Sequence, residues 1–241
     1  MSGTIYAIGT GPGAADLITV RGARTLGILD ILYAPAGRKG GDSLALSIVR
    51  EYLSDRVEIK CRHFPMSSDT AEKDVVWDGV AQEMDADVQQ GKRVGFITLG
   101  DAMLYSTWVF LLARLQRRVA IEVIPGVTSF ACIAARAGVP LAMESQSLAV
   151  MACTDDENAL EQALLTHDCV VLMKVYGRFA RIQALLRRLD LLDSALLMAD
   201  ASLPSEQCFR ALGQLAADRA LPYFSTILVN KRWPTAAEKA L

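Results

Sequence analysis

Short apolar runs and longer amphipathic stretches alternate along this chain. Ile5-Tyr6-Ala7-Ile8 reads as a buried strand that ends in Gly9, Gly11 and Gly13. VRGARTLGIL follows with a helical pattern, and Thr19 stands where an N-cap belongs. ILYAP is a short strand, GRKGGD (residues 37–42) an exposed basic loop, SLALSIVREYL a helix and VEIK an alternating strand. HFPMSSD is loop-like, with Asp69 or Thr70 able to cap the long segment after it. In that segment Trp77, Val80, Met84 and Val88 recur at helical spacing with acids on the other face, so the stripe is core and its charges are solvated.

RVGFITLGD is a second strong apolar strand, followed by helical LYSTWVFLLARL, and VAIEVIPGVTSFACIAARAG repeats the strand–turn–helix order. Beyond Gly138-Val139-Pro140 come strand SLAVMAC, helix ENALEQALLTH, strand DCVVLMK, helix RFARIQALLRRL, strand ALLMAD and a last strand YFSTILVN. Such alternation predicts an α/β fold. The expected boundary lies just before VAIEVIP, giving two α/β domains, 1–117 and 118–241, closely packed because no linker or repeat separates them.

Composition narrows the function. With 52% hydrophobic and 22% charged residues, the 241-residue chain can bury a substantial core. Its 25 basic and 27 acidic residues lack the basic excess of a nucleic-acid binder. Five scattered cysteines contain no C-x-x-C pair, which argues against a zinc knuckle or a redox dithiol and for a reducing compartment. The N-terminus has no basic segment ahead of an apolar one, and Asp101, Arg136 and Glu144 interrupt apolar stretches before they reach spanning length. A cytoplasmic protein with no membrane or nucleic-acid partner is expected.

Gly9, Gly11 and Ala14 satisfy the G-x-G-x-x-A variant of the dinucleotide fingerprint, which is weak alone. That fold calls for an acid after its second strand, where this chain has Tyr33-Ala34-Pro35. Pro12 also occupies the turn where backbone N–H groups would meet a pyrophosphate, and proline has none. Arg38 and Lys39, able to meet an extra phosphate, keep an NADP-dependent oxidoreductase as the distant alternative.

Three turns closing apolar strands agree better with another reading: Gly9-Thr10-Gly11-Pro12-Gly13, Leu99-Gly100-Asp101-Ala102-Met103-Leu104-Tyr105-Ser106-Thr107, and Ile124-Pro125-Gly126-Val127-Thr128-Ser129. Together with VVLMKVYGR and LLMADASLPSEQ they resemble the tetrapyrrole methylase family over nearly the whole length. The resemblance implies two α/β domains with an active site in the cleft between them, S-adenosylmethionine as methyl donor, no metal held by the protein, and a homodimer. GRKGGDSLALSIV, FPMSSD and LMK are most like the branch that methylates precorrin-2, or its cobalt form, at carbon 20 on the corrin route to vitamin B12. Alternatives are a sibling acting at another ring position and a non-catalytic binding module of the same fold.

On that resemblance the donor contacts are Pro12, Gly100, Asp101, Met103, Leu104, Thr128, Ser129, Met173, Ala201, Ser225 and Thr226. Each residue also has a plain structural reading: Thr128 or Ser129 as a helix cap, Met173 as core, Gly9 and Gly11 as tight-turn residues. Asp101 resists it, because an acid closing an apolar run is costly to bury without a partner. Arg38 and Lys39 are the preferred contacts for the carboxylates of a tetrapyrrole, with Lys174, Arg62 and Arg178 as further basic groups. No catalytic base is identified; Tyr105 is a candidate by position. His167 is expected at the surface. The family usually carries proline after the Gly-Asp pair, and Ala102 here leaves that loop freer by ~0.5–1 kcal/mol of unfolded-state entropy.

Overall fold

The computed structural model describes residues 3–36, 43–65, 70–153 and 156–233. The chain forms two compact units, Met1–Thr128 and Ser129–Leu241. In the first, β1 (Thr4–Gly9), α1 (Val20–Leu26), β2 (Ile31–Ala36), α2 (Leu44–Val49), β3 (Glu58–His63), α3 (Thr70–Gln89), β4 (Arg93–Thr98), α4 (Trp108–Leu115) and β5 (Ala120–Ile124) follow in order. All five strands are parallel, in the order β3-β2-β4-β1-β5.

Period-two alternation divides the strand side chains between two cores. Ile5, Ala7, Ile31, Tyr33, Val94 and Phe96 face α3 and α4, where Trp77, Val80, Met84 and Val88 form the buried stripe the spacing predicts. Ile8, Leu32, Ala34 and Ile97 face α1 and α2. Thr19 caps α1 by accepting the Gly22 N–H at 3.1 Å, as expected. No helix starts at Ala14: a short 3-10 turn, Ala15–Leu17, comes first, unlike the glycine-to-helix junction of a dinucleotide fold.

The second unit holds α5 (Ser129–Ala137), β6 (Leu148–Ala152), α6 (Glu157–Thr166), β7 (Cys169–Met173), α7 (Phe179–Arg188), β8 (Ala195–Ala199), β9 (Gln207–Phe209) and β10 (Ser225–Asn230). Its sheet runs β6-β7-β10-β8-β9, with β10 antiparallel to both neighbours. Leu160, Leu164, Leu172, Phe179, Ile182, Leu186 and Ile227 belong to its core.

Three features depart from what the sequence pattern leads one to expect. The division falls after Thr128 and not at 117/118, because β5 pairs along β1 from Thr4↔Ala120 to Ile8↔Ile124 and so completes the first sheet. Strand β9, whose polar Gln207 obscures its pattern, forms by pairing on β8. His167, expected at the surface, is half-buried with a solvent-shielded Nδ1. Among the described residues no helix is long and apolar enough to cross a membrane.

Candidate functional site

Strands β1 and β4 are neighbours, yet their chains leave the sheet on opposite faces. From β1 the chain passes to β2 through α1, and from β4 to β5 through α4, helices that belong to opposite cores. Where such connections diverge, a parallel sheet leaves a crevice outside the carboxyl ends of its strands. Both glycine-bearing turns lie at that point.

The turns touch backbone to backbone. Gly100 N–H donates to the Gly11 carbonyl at 2.7 Å, and Gly11 N–H returns a bond to Gly100 at 3.2 Å. Both glycines have left-handed φ, +79° and +72°, a region closed to most L-residues. The turn after β5 joins them. A Cβ on Gly126 would lie 2.1 Å from the Gly100 carbonyl oxygen, and one on Gly9 would lie 2.6 Å from the Gly126 nitrogen. At Gly100 itself a Cβ would meet nothing within 4 Å, so the crest opens onto free space there.

Asp101 ties this crest together. One carboxylate oxygen accepts the Met103 N–H at 2.8 Å, and the other accepts the Gly126 N–H at 2.9 Å. Beneath lie three buried hydroxyls. Thr10 donates to the Thr98 carbonyl at 3.2 Å, while Ser106 donates to Thr98 Oγ1 at 3.1 Å and accepts the Trp108 N–H that opens α4. Ala102, where the family usually has proline, is fully buried, so core packing and the Asp101 tethers restrain the loop. Pro12 is buried in its turn, Leu104 half-buried, and Met103 and Tyr105 stand exposed at the rim. Thr128 is half-buried immediately after Val127.

In the second unit the corresponding residues collect at one end of the sheet. Met173 closes β7 opposite Thr226 of β10, and Ser225 pairs with Ala199, two residues before Ala201. Ser225 and Thr226 are buried, and the Ser225 hydroxyl donates to the Pro222 carbonyl at 2.6 Å. Ser129 is the half-buried first residue of α5. Lys174 is exposed directly beyond Met173.

Backbone strain marks the same loops. Among the described residues six non-glycines have left-handed φ, and four of them, Tyr105, Lys174, Asp200 and Ser202, lie next to candidate positions Leu104, Met173 and Ala201. Each costs about 1–2 kcal/mol, which persists only where the surroundings over-determine the backbone, commonly at ligand sites.

The basic groups fare unevenly. Arg38 and Lys39 lie outside the described residues, as do Met66 and Asp69. Arg62 is engaged already: its Nε donates to Glu83 at 2.8 Å and its guanidinium sits 5.7 Å from the centre of the Tyr33 ring. Behind it Lys60 and Tyr33 converge on Asp87 at 2.7 and 2.6 Å. Burial works to lower the Lys60 pKa, but the Asp87 and Glu83 carboxylates together outweigh it and hold that amine above its ordinary range. Burial, reinforced by the bond to Asp87, pushes the Tyr33 phenol up. This cluster clamps α3 to the sheet. Among the described residues no three His, Cys, Asp or Glu side chains come together as metal ligands.

Sequence reasoning missed the residues that brace the strained loops, chiefly Arg136, Ser202 and Glu206, because Arg136 pairs with Glu206 across 70 residues and nothing local marks Ser202 as left-handed. It also missed a patch of exposed rings at this end of the second sheet: Tyr176, Tyr223 and Phe224, with successive centroids 5.9 and 5.0 Å apart.

Comparison with known proteins identifies the frame. The family model for Tetrapyrrole (Corrin/Porphyrin) Methylases matches residues 4–216. The chain is 65% identical over 236 residues to a cobalt-precorrin-2 C(20)-methyltransferase of Salmonella typhimurium, covering 98% of this chain and all of the relative. It is 30% identical to a precorrin-2 C(20)-methyltransferase of a Sinorhizobium species, covering 94% and 95% of the two chains. Among solved structures it resembles a cobalt precorrin-4 methyltransferase with a TM-score of 0.75 at 21% identity, covering 94% of each chain. A uroporphyrin-III C-methyltransferase from Thermus thermophilus, complexed with S-adenyl homocysteine, matches with a TM-score of 0.66 at 20% identity, covering 94% of this chain and 97% of that one.

Proposed function

The chain belongs to the tetrapyrrole (corrin/porphyrin) methylases, and on that premise we propose that it transfers a methyl group from S-adenosylmethionine to carbon 20 of cobalt-precorrin-2 in cobalamin biosynthesis. The observation that carries this reading is the 65% identity to the Salmonella cobalt-precorrin-2 enzyme, against 30% to the relative named for precorrin-2. Cobalt is then part of the substrate.

S-adenosylmethionine, when bound, supplies a methyl on a sulfonium that needs no further activation before in-line attack by the acceptor carbon. What the protein must add is orientation and exclusion of water. The crest of the first unit suits the donor: Gly100 borders free space, Asp101 fixes the loop, and Met103 and Leu104 offer apolar surface at its rim. Pro12 and Thr128 flank that crest. Ser129, Met173, Ala201, Ser225 and Thr226 are the contacts we assign to the second unit, a reading supported at Met173 and Ala201 by the strained backbone beside them. Tyr105 is assigned to the reacting end by its exposed position on the same loop.

For the acceptor, the exposed rings of Tyr176, Tyr223 and Phe224, set at angles to one another beside Lys174, offer apolar edges and faces together with a cation, which suits a macrocycle fringed with carboxylates. Arg38 and Lys39 belong to the same proposal, as do a homodimer and a cytoplasmic location. Sedimentation at the mass of a single chain would remove the dimer.

Anaerobic incubation with S-adenosylmethionine and cobalt-precorrin-2, followed by mass spectrometry and location of the new methyl, tests the activity. One methyl at carbon 20 is expected. Methylation of metal-free precorrin-2 alone would reverse the choice of substrate, and a methyl at another carbon would move the chain to a sibling reaction.

A further inference from the structure

Helix α5 is tied at three places to the chain that follows β8, twice ahead of β9 and once just beyond it. The Ser202 side chain is hydrogen-bonded to the Cys132 thiol. Arg136 pairs with Glu206, whose Oε2 also accepts the Ser202 N–H at 2.6 Å. Arg210 donates to the Ala137 carbonyl at the end of the helix. Ser129, Cys132 and Arg136 are spaced i, i+3 and i+7, which puts all three on one stripe of α5. The stripe that meets the segment after β8 therefore begins at Ser129.

The tied segment is a strained strap. Asp200 and Ser202 have φ of +51° and +66°, with buried Ala201 between them. Asp200 is anchored by its N–H to the Phe224 carbonyl at 3.0 Å and by its carboxylate to Ser205 at 2.9 Å. Ser202 depends on Glu206. Burial works to raise the Glu206 pKa, but Arg136 and the Ser202 N–H outweigh it and keep the carboxyl below its ordinary range. Arg136 is about half exposed, and an ion pair of that kind adds little to global stability. Its effect is local: it holds the acceptor that keeps a strained backbone in place.

We propose that Arg136 and Glu206 are positioning residues for the methyl donor, fixing the Ala201 strap against α5 so that Ala201 and Ser129 keep the spacing the donor requires. This rests on the donor reading above, in which both residues contact S-adenosylmethionine. Neither Arg136 nor Glu206 is assigned a contact with donor or acceptor.

The test measures S-adenosylhomocysteine binding by calorimetry and steady-state KM for donor and acceptor separately, on the full chain. Glu206→Ala should weaken S-adenosylhomocysteine about tenfold and raise the donor KM in step, with the acceptor KM within about twofold of the parent. Glu206→Gln and Arg136→Gln should each give about threefold, and Arg136→Lys should restore most of the affinity. Glu206→Gln nearly preserves size and Arg136→Gln shortens a half-exposed side chain, so both keep the question answerable if the alanine variant does not fold. Unchanged donor affinity in folded Glu206→Gln and Arg136→Gln would overturn the proposal. So would a loss shared equally by donor and acceptor, accompanied by a lower melting temperature. A parent chain that binds no S-adenosylhomocysteine would instead remove the donor reading, and this proposal with it.

Discussion

Replacing Asp101 by asparagine separates bracing from direct ligand contact. The carboxylate accepts two backbone N–H groups, one on each oxygen, from Met103 at 2.8 Å and Gly126 at 2.9 Å. Asparagine nearly keeps the shape but offers one acceptor, so its amide NH2 must face one of those N–H groups. A hydrogen bond to a charged group contributes about 1.5–3 kcal/mol, and Asp101 is only half-buried, so the loss comes to about 1–2 kcal/mol. Asp101→Ala removes both tethers and should cost about 2–4 kcal/mol. Because the tethers join the turn after β4 to the turn after β5, affinity for S-adenosylhomocysteine should fall with stability, about tenfold in the asparagine variant. Urea denaturation and calorimetry on the same preparations read both quantities. If Asp101→Ala bound poorly yet unfolded at the parent's urea midpoint, the carboxylate would be a ligand contact and the bracing argument would be refuted.

Three further outcomes are expected. Gly126→Ala places a methyl 2.1 Å from the Gly100 carbonyl and should destabilise the first unit by about 3 kcal/mol or more, whereas Gly100→Ala meets open space and should cost only the left-handed backbone, about 1–2 kcal/mol; urea titration ranks them. Tyr33→Phe should lose about 1–2 kcal/mol with its bond to Asp87, while Lys60→Met, which strips Asp87 of its cation, should lose about 3–5 kcal/mol, both read from urea midpoints. The hydrogen bonds from Arg93 hold the Asp30 carboxyl down to about 2. A depressed carboxyl stabilises the fold fully above its unfolded value of about 4, and that share is lost as pH falls through the folded value. Acid titration of Asp30→Asn should therefore lack this part of the decline.

Much of the frame was legible because periodicity carries it. The Trp77–Val88 stripe, the Thr19 cap and the three turns follow from local spacing and local chemistry. The boundary was not legible, because β5 is assigned to the first unit by its pairing with β1, a contact spanning more than a hundred residues. Asp101 could be singled out as an acid in need of partners, but Gly126 could not be identified as one of them from sequence. Glu206 was hidden more deeply. Its task is to hold the N–H of Ser202, and nothing in SLPSEQ announces a serine with left-handed φ.

The second sheet also constrains the order in which this protein can be assembled during synthesis. Its middle strand, β10, is the last to be made, and β7 and β8 each pair with it and not with each other. Until Asn230 has left the ribosome, the β6–β7 pair and the β8–β9 hairpin have no common partner. The first unit, whose strands are all made by Ile124, faces no such wait. Domains generally fold as units during synthesis, so the glycine crest is expected to form on a chain whose second half still exposes two unpaired sheet edges. A nascent chain arrested after β9 should accordingly protect the first unit from protease and leave the second open to it.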